Sequence, residues 1–450
     1  MLHKFTLFGS RIVYDVASGS VHVVDELTWR ILEYWPVASR EEIGAKLGQE
    51  YSREEIEEAV RELEELKKEG LLLAEDQAPA ALHLRQQSVV KALCLHVAHD
   101  CNLRCRYCFA GTGPFGGDRT LMKEETGRQA IDFLLKASGK RQQVEIDFFG
   151  GEPLLNFPVV KNLVAYGKEA AAAAGKKIKF TLTTNALLLT EEIERWLNEE
   201  EMAVVLSLDG RPEVHDRMRP RLDGSGSYQR TVDHILRFVN SRNQENYYVR
   251  GTFTSLQPDF AADVIYMADL GIKHLSVEPV VGAPEEDYAL KEEHLPQLLA
   301  EYERLTEEFL RRQETGQPFT FFHFNLDLTG GPCLAKRLSG CGAGHEYLAC
   351  DPEGNLYPCH QFVGNKDFWL GTVDTGVEKP ELVQRFQEAH VFNKQKCQNC
   401  WARYLCSGGC HASNYHSHGH LLEPYEMGCA LEKKRLECAI YIQLKTAGLV

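Results

Sequence analysis

The feature that most constrains this chain is a run of three cysteines, Cys101-Asn-Leu-Arg-Cys105-Arg-Tyr-Cys108, spaced C-x3-C-x2-C. It directly follows an alternating apolar segment, Leu93, Leu95 and Val97, which reads as a buried strand. The fold must therefore present three thiols from one loop at a strand end. Three thiolates so placed bind three irons of a [4Fe–4S] cube and leave the fourth iron open. A cluster needs that open iron if it is to bind and reduce a substrate rather than only pass electrons. The competing reading is a zinc knuckle. Zinc wants four ligands, and no fourth Cys or His completes a compact site downstream.

The chain has 450 residues, enough for two or three domains, and 14 cysteines. It has no apolar stretch of membrane-spanning length and no signal-peptide core at Met1-Leu-His-Lys, so a cytoplasmic enzyme is expected. Cytosolic thiols stay reduced, and dense patterned cysteines there indicate metal or cluster ligation rather than disulfides. Only Cys94, Cys350 and Cys438 stand outside any usable spacing and are expected to be buried structural thiols. The net charge of −15 gives no field that attracts nucleic acid or an anionic membrane.

Residues 1–76 form a unit of their own. Runs at 4–8, 11–16 and 20–24 read as a three-stranded meander, and helices are expected near 25–35 and 40–48. A third helix opens with the capping box Ser52-Arg-Glu-Glu55, and Gly70 ends it before an apolar wing, Leu71–Leu73. This winged-helix-like pattern carries an acidic third helix, which excludes a phosphate-binding role. Residues 77–90 read as a linker. From 91 to 325, strands at 92–98, 143–149, 177–183, 203–208, 247–254 and 274–280 alternate with helical patterns. Six successive βα units predict an α/β fold, a parallel sheet curled into a partial barrel with function at the C-terminal strand ends.

Those strand ends carry Gly150-Gly151-Glu152-Pro153, Thr184-Asn185, and Ser207-Leu208-Asp209-Gly210, followed by His215-Asp216-Arg217-Met218-Arg219. Glycines let backbone approach a ligand, a carboxylate accepts from an ammonium, and a guanidinium pairs with a carboxylate. Ordinary loop capping accounts equally well for Asn185 and Asp209 taken singly.

The cysteine loop and Gly150-Gly151-Glu152-Pro153 resemble those of the radical S-adenosylmethionine (SAM) enzymes. That resemblance implies a cube on Cys101, Cys105 and Cys108 whose free iron chelates SAM. It implies SAM contacts from Tyr107, Gly150, Gly151, Glu152, Asn185, Ser207, Asp209 and Arg219. Residues 326–450 resemble the SPASM domain, cysteine for cysteine. By that likeness Cys397, Cys400, Cys406 and Cys429 would bind an outer auxiliary [4Fe–4S] cluster, and Cys341, Cys359 and Cys410 an inner one, making three clusters in all. Seven ligands leave one iron short: Cys333 would complete it, or a substrate thiolate would. A pair of zinc ribbons is the rival reading of the array.

Residues 1–76 resemble the peptide-recognition domain of ribosomal-peptide modifying enzymes, where a leader peptide adds as a strand to a sheet edge. A packing appendage is the alternative. The order of modules, the loop from Phe109 to Thr120 and His360 make the whole chain similar to the thioether-forming maturases of six-cysteine peptides. In sulfatase-maturing relatives an aspartate stands where His360 follows Cys359 here. The resemblance implies a deoxyadenosyl radical, a ribosomally made precursor peptide as partner, and a low-potential donor such as flavodoxin or ferredoxin. The alternatives are another peptide modification (a carbon–carbon bond, formylglycine or epimerisation) and a non-enzymatic iron–sulfur or zinc protein.

Overall fold

The computed structural model describes residues 1–76, 78, 89–283, 285–328 and 334–450. Most of the expected linker and Cys333 lie outside the described residues.

The N-terminal sheet runs β1 (Leu2–Leu7), β2 (Ser10–Asp15) and β3 (Val21–Val24), antiparallel, with β2 in the middle. Helices Glu26–Ile31, Arg40–Leu47 and Arg53–Lys68 follow. The third starts in the expected capping box: Glu55 N donates to Ser52 Oγ at 3.2 Å and Ser52 N to Glu55 Oε2 at 2.8 Å. Its stripe of Ile56, Ala59, Val60 and Leu63 packs with Ile31, Ile43 and Leu47 in a separate small core. The wing at 71–73 is not a strand. Leu71 O accepts from His22 Nε2 at 3.0 Å, and Ala74 N donates to Asp15 Oδ2 at 3.1 Å. Side chains thus take backbone groups a ladder would have used.

The main sheet holds β4 (Ala92–Ala98), β5 (Gln143–Gly150), β6 (Lys177–Thr184), β7 (Ala203–Ser207), β8 (Tyr247–Phe253) and β9 (His274–Pro279), each parallel to the one before. A two-residue β10 (Thr320–Phe321) continues it past β9. Leu93, Leu95 and Val97 of β4 and Val144, Ile146 and Phe148 of β5 join the large core beneath the helices Glu124–Ala137 and Phe157–Ala173. Strand alternation then turns Cys94, His96, Asp147 and Phe149 to the concave face.

The cysteine-rich region adds to this sheet rather than standing apart from it. β11 (Tyr347–Cys350) pairs parallel with β4, and the short antiparallel strands β12 (Asn355–Tyr357), β13 (Gly371–Thr372) and β14 (Gly376–Val377) follow outward. Flanked by β5 and β11, every residue of β4 is buried.

The N-terminal module docks on the loop between Cys400 and Cys406. His3 stacks on Trp401 at 3.8 Å, and Asp76 Oδ2 accepts from Arg403 Nη2 at 2.7 Å and Tyr404 OH at 2.5 Å. Charged hydrogen bonds in a partly buried site stabilise by about 1–2 kcal/mol together. Asp76→Asn should therefore speed amide exchange in residues 2–15 and 401–404 while the barrel strands keep their protection. Equal exchange would show that the contact does not hold the module.

Candidate functional site

β4 stops at Ala98, and the loop after it is held through its backbone. His99 N donates to Thr120 O at 2.8 Å, Arg104 N to Pro220 O at 2.8 Å and Arg106 N to Met218 O at 2.9 Å. From the end of β5, Gly151 N donates to Ala98 O at 2.8 Å and Glu152 N to Asp100 O at 2.9 Å. A Cβ on Gly150 would strike Ala98 O and one on Gly151 would strike Asp100 O, and Gly150 has φ +130°. The glycine pair thus lets two strand ends lie against each other, a structural demand on the same residues expected to face a ligand.

The loop turns Cys101, Cys105 and Cys108 toward one another, all half-buried, unbridged and electrostatically coupled. Burial pushes the Cys101 and Cys105 thiols up to about 12. As free thiols they stay protonated; a bound metal would displace those protons. Leu103 N lies 3.5 Å from Cys101 Sγ and Asn185 Nδ2 3.8 Å, and Asn185 Nδ2 also donates to Asn102 Oδ1 at 2.7 Å. Such donors suit a metal-bound sulfur.

Glu152 is wholly buried. Its carboxyl accepts from Thr184 Oγ1 at 2.7 Å, Asn185 N at 2.8 Å and Leu154 N at 3.0 Å, tying β5 to β6, while burial raises its pKa to about 7. Asp209 is equally enclosed: it accepts from Tyr107 OH at 2.6 Å and Thr252 N at 3.0 Å, and Arg219 Nε lies 3.0 Å from it. Arg219 also sits over the Tyr107 ring at 5.4 Å. Tyr107, Asp209 and Arg219 therefore form one buried triad that braces the cysteine loop between Cys105 and Cys108. Ser207 is half-buried at the end of β7, in register with Arg250.

The distal cysteines converge in two groups. Cys397, Cys400, Cys406 and Cys429 are linked to one another by mutual electrostatic contacts, as are Cys341, Cys359 and Cys410. None of these thiols is in a disulfide. Four-thiol and three-thiol groups of this kind fit iron–sulfur cubes, and each of the described cysteines expected as a ligand stands in one of the three groups. His360, next to Cys359, packs its ring on Phe149 at 5.1 Å and Phe109 at 5.6 Å, and burial lowers its pKa to about 4.

Two residues near these groups escaped the sequence reading. Asp147, on the concave face beside Cys94, is pushed up to about 6 by burial. Lys394 is entirely buried among the distal thiols. The charge of neither residue type, read alone, signals such a place; only the short interval from Lys394 to Cys397 hints at it.

A parallel partial barrel with three convergent thiols at the end of its first strand defines the radical SAM class of proteins. A family profile described as "4Fe-4S single cluster domain" matches residues 90–233, the part that includes the cysteine loop. The uncharacterized protein MJ0907 of Methanocaldococcus jannaschii is 35% identical over 153 residues, 34% of this chain, which spans half the length of that relative. A serine-type anaerobic sulfatase-maturating enzyme of Klebsiella aerogenes is 25% identical over 369 residues, 76% of this chain and 82% of that protein. Streptococcus suis SuiB, solved with S-adenosylmethionine, superposes with a TM-score of 0.52 at 16% identity, covering 95% of this chain and 98% of SuiB. The chain is thus similar to radical SAM peptide-modifying enzymes over most of its length and shares their fold.

Proposed function

We propose that this chain binds SAM and iron–sulfur clusters and installs thioether cross-links, cysteine sulfur to carbon, in a ribosomally made cysteine-rich peptide. The observation that carries the reading is the shared wall: β11, whose segment leads to Cys359, pairs directly with β4, whose end carries Cys101, Cys105 and Cys108. β12 returns antiparallel along β11 and brings Cys359 back beside its start, so the radical loop and the inner cysteine group share one sheet wall, which suits a reaction that joins a carbon centre to a sulfur. SuiB has also been solved with its precursor peptide SuiA, which supports a peptide as the substrate class here.

When bound, SAM and the first cluster would supply a hydrogen-abstracting deoxyadenosyl radical, and the auxiliary clusters would accept the electron left over when the thiol loses its proton and the carbon–sulfur bond forms. The chain's own residues do the positioning. Cys101, Cys105 and Cys108 would hold the first cluster, and the end of β5 at Gly150–Glu152 together with Asn185 would flank SAM. Cys397, Cys400, Cys406 and Cys429 would hold an outer cluster, and Cys341, Cys359 and Cys410 an inner one with a place for Cys333 or a substrate thiolate. The triad of Tyr107, Asp209 and Arg219 keeps the loop fixed. The edge of β3, with Val23 exposed, offers unpaired backbone to a leader peptide. A flavodoxin- or ferredoxin-like donor would supply the electron. His360 stands where sulfatase-maturing enzymes carry an aspartate, which argues against formylglycine formation.

Mass spectrometry of peptide treated anaerobically with protein, SAM and reductant tests this. Each bridge should remove two hydrogens and one alkylatable thiol. Peptide that loses hydrogen while every cysteine still alkylates would rule out a thioether and point to another modification.

A further inference from the structure

Lysine is rarely buried without a counter-charge, because removing an ammonium from water costs several kcal/mol. Lys394 has 0% of its surface exposed. Its Nζ donates to Gly408 O at 2.6 Å, a carbonyl also approached by Asn414 Nδ2 at 3.4 Å. That bond uses one of three ammonium donors. Among the described residues no carboxylate forms an ion pair with it; the titratable groups it faces are the thiols of Cys397, Cys406, Cys410 and Cys429. Its seat is shaped for it as well. Gly408 has φ +86°, and a Cβ there would stand 3.1 Å from Lys394 Nζ and 3.3 Å from its Cδ. The glycine between Cys406 and Cys410 thus adopts a left-handed turn and leaves the space that the lysine fills.

A cation enclosed this way is compensated only when the surrounding sulfurs are thiolates. Four thiolates on a [4Fe–4S] cube leave a net negative charge, and accepting one electron makes it one unit more negative with no bond made or broken. A fixed positive charge beside the sulfurs favours that reduced form.

We infer that Lys394 is the charge-tuning residue of the auxiliary site: its ammonium offsets the thiolates of Cys397, Cys406 and Cys429 and raises the reduction potential of the cluster they would hold with Cys400. This rests on the reading of those four cysteines as cluster ligands. Lys433, half-buried on the C-terminal helix Glu426–Thr446, also acts on Cys397 and Cys429 but reaches solvent, so its charge is screened.

The test is an EPR-monitored redox titration of the full-length, anaerobically reconstituted protein. A background carrying C101A, C105A and C108A removes the loop cluster's signal. Lys394→Met and Lys394→Gln should each shift the reduction equilibrium at least tenfold toward the oxidised form, about 59 mV for a one-electron couple. Lys394→Arg should stay near wild type, and Lys433→Met should move it less than the Lys394 variants do. Loss of iron from both neutral variants but not from Lys394→Arg would also support charge compensation. An unchanged midpoint in the neutral variants, or equal iron loss from all three, would overturn the assignment and mark Lys394 as packing. No iron–sulfur signal in the background protein before Lys394 is altered would instead overturn the ligand reading beneath it.

Discussion

Changing Cys101, Cys105 and Cys108 together to alanine is expected to leave no detectable deoxyadenosine after anaerobic reduction with SAM. The iron–sulfur absorbance of the distal cysteines should remain. The separation is expected because the loop's position depends on its backbone, not on its thiols. Arg104 N and Arg106 N are held by Pro220 O and Met218 O, and Leu103 stays 1% exposed in the core. Removing three half-buried sulfurs therefore deletes the metal ligands while the strand, the glycine pair and the 218–220 segment keep their contacts. The distal groups lie on different elements and share no hydrogen bond with the loop thiols among the described residues. Iron per chain, visible absorbance and chromatographic detection of deoxyadenosine check the prediction together. Residual SAM cleavage in the triple variant would mean that the radical is generated elsewhere, and the barrel's first loop would lose its assigned role.

The barrel was legible because parallel strands covered on both faces must be short apolar runs between amphipathic helices. Leu93, Leu95 and Val97 belong to such a run, and β4 begins and ends where that pattern does. The capping box at Ser52 was legible for a different reason: its partners lie three residues apart, so sequence spacing is also spatial spacing. Pairing across long intervals left no such mark. Tyr347 pairs in register with Ala92 although most of the chain separates them, and nothing local to either strand announces it. The partners of buried charges were equally silent. Arg219, read as a partner for a ligand carboxylate, also pairs with Asp209, and no local spacing announces that partner. Gly151, read as a place of close approach to a ligand, also admits the backbone of Asp100. The expected wing failed because Asp15 and His22, remote in sequence, supply the hydrogen bonds that a partner strand would have supplied.

Arg219→Ala should be the most damaging single substitution outside the cysteines. Asp209 has no exposed side-chain surface and Arg219 only 11%, so removing the guanidinium leaves a carboxylate buried with neutral donors alone. Breaking a buried pair from one side costs about 3–5 kcal/mol. Burial holds the Tyr107 hydroxyl well above its usual pKa, so it remains a donor and supplies no charge. The damage should run into the cysteine loop, because Tyr107 stands between Cys105 and Cys108 and its hydroxyl is fixed by Asp209. The expected results are a lowered thermal midpoint, faster amide exchange in residues 101–108, and at least a tenfold loss of SAM cleavage at equal protein concentration. Arg219→Lys should recover only part of this, since an ammonium lacks the planar fork of the guanidinium. The double variant D209N/R219M removes both charges and should be more stable than R219A alone, the non-additivity expected of a coupled pair. If R219A and D209N/R219M melt together, the pair contributes no such coupling. If D209N/R219M regains stability without regaining cleavage, Arg219 acts on the bound cofactor as well as on Asp209.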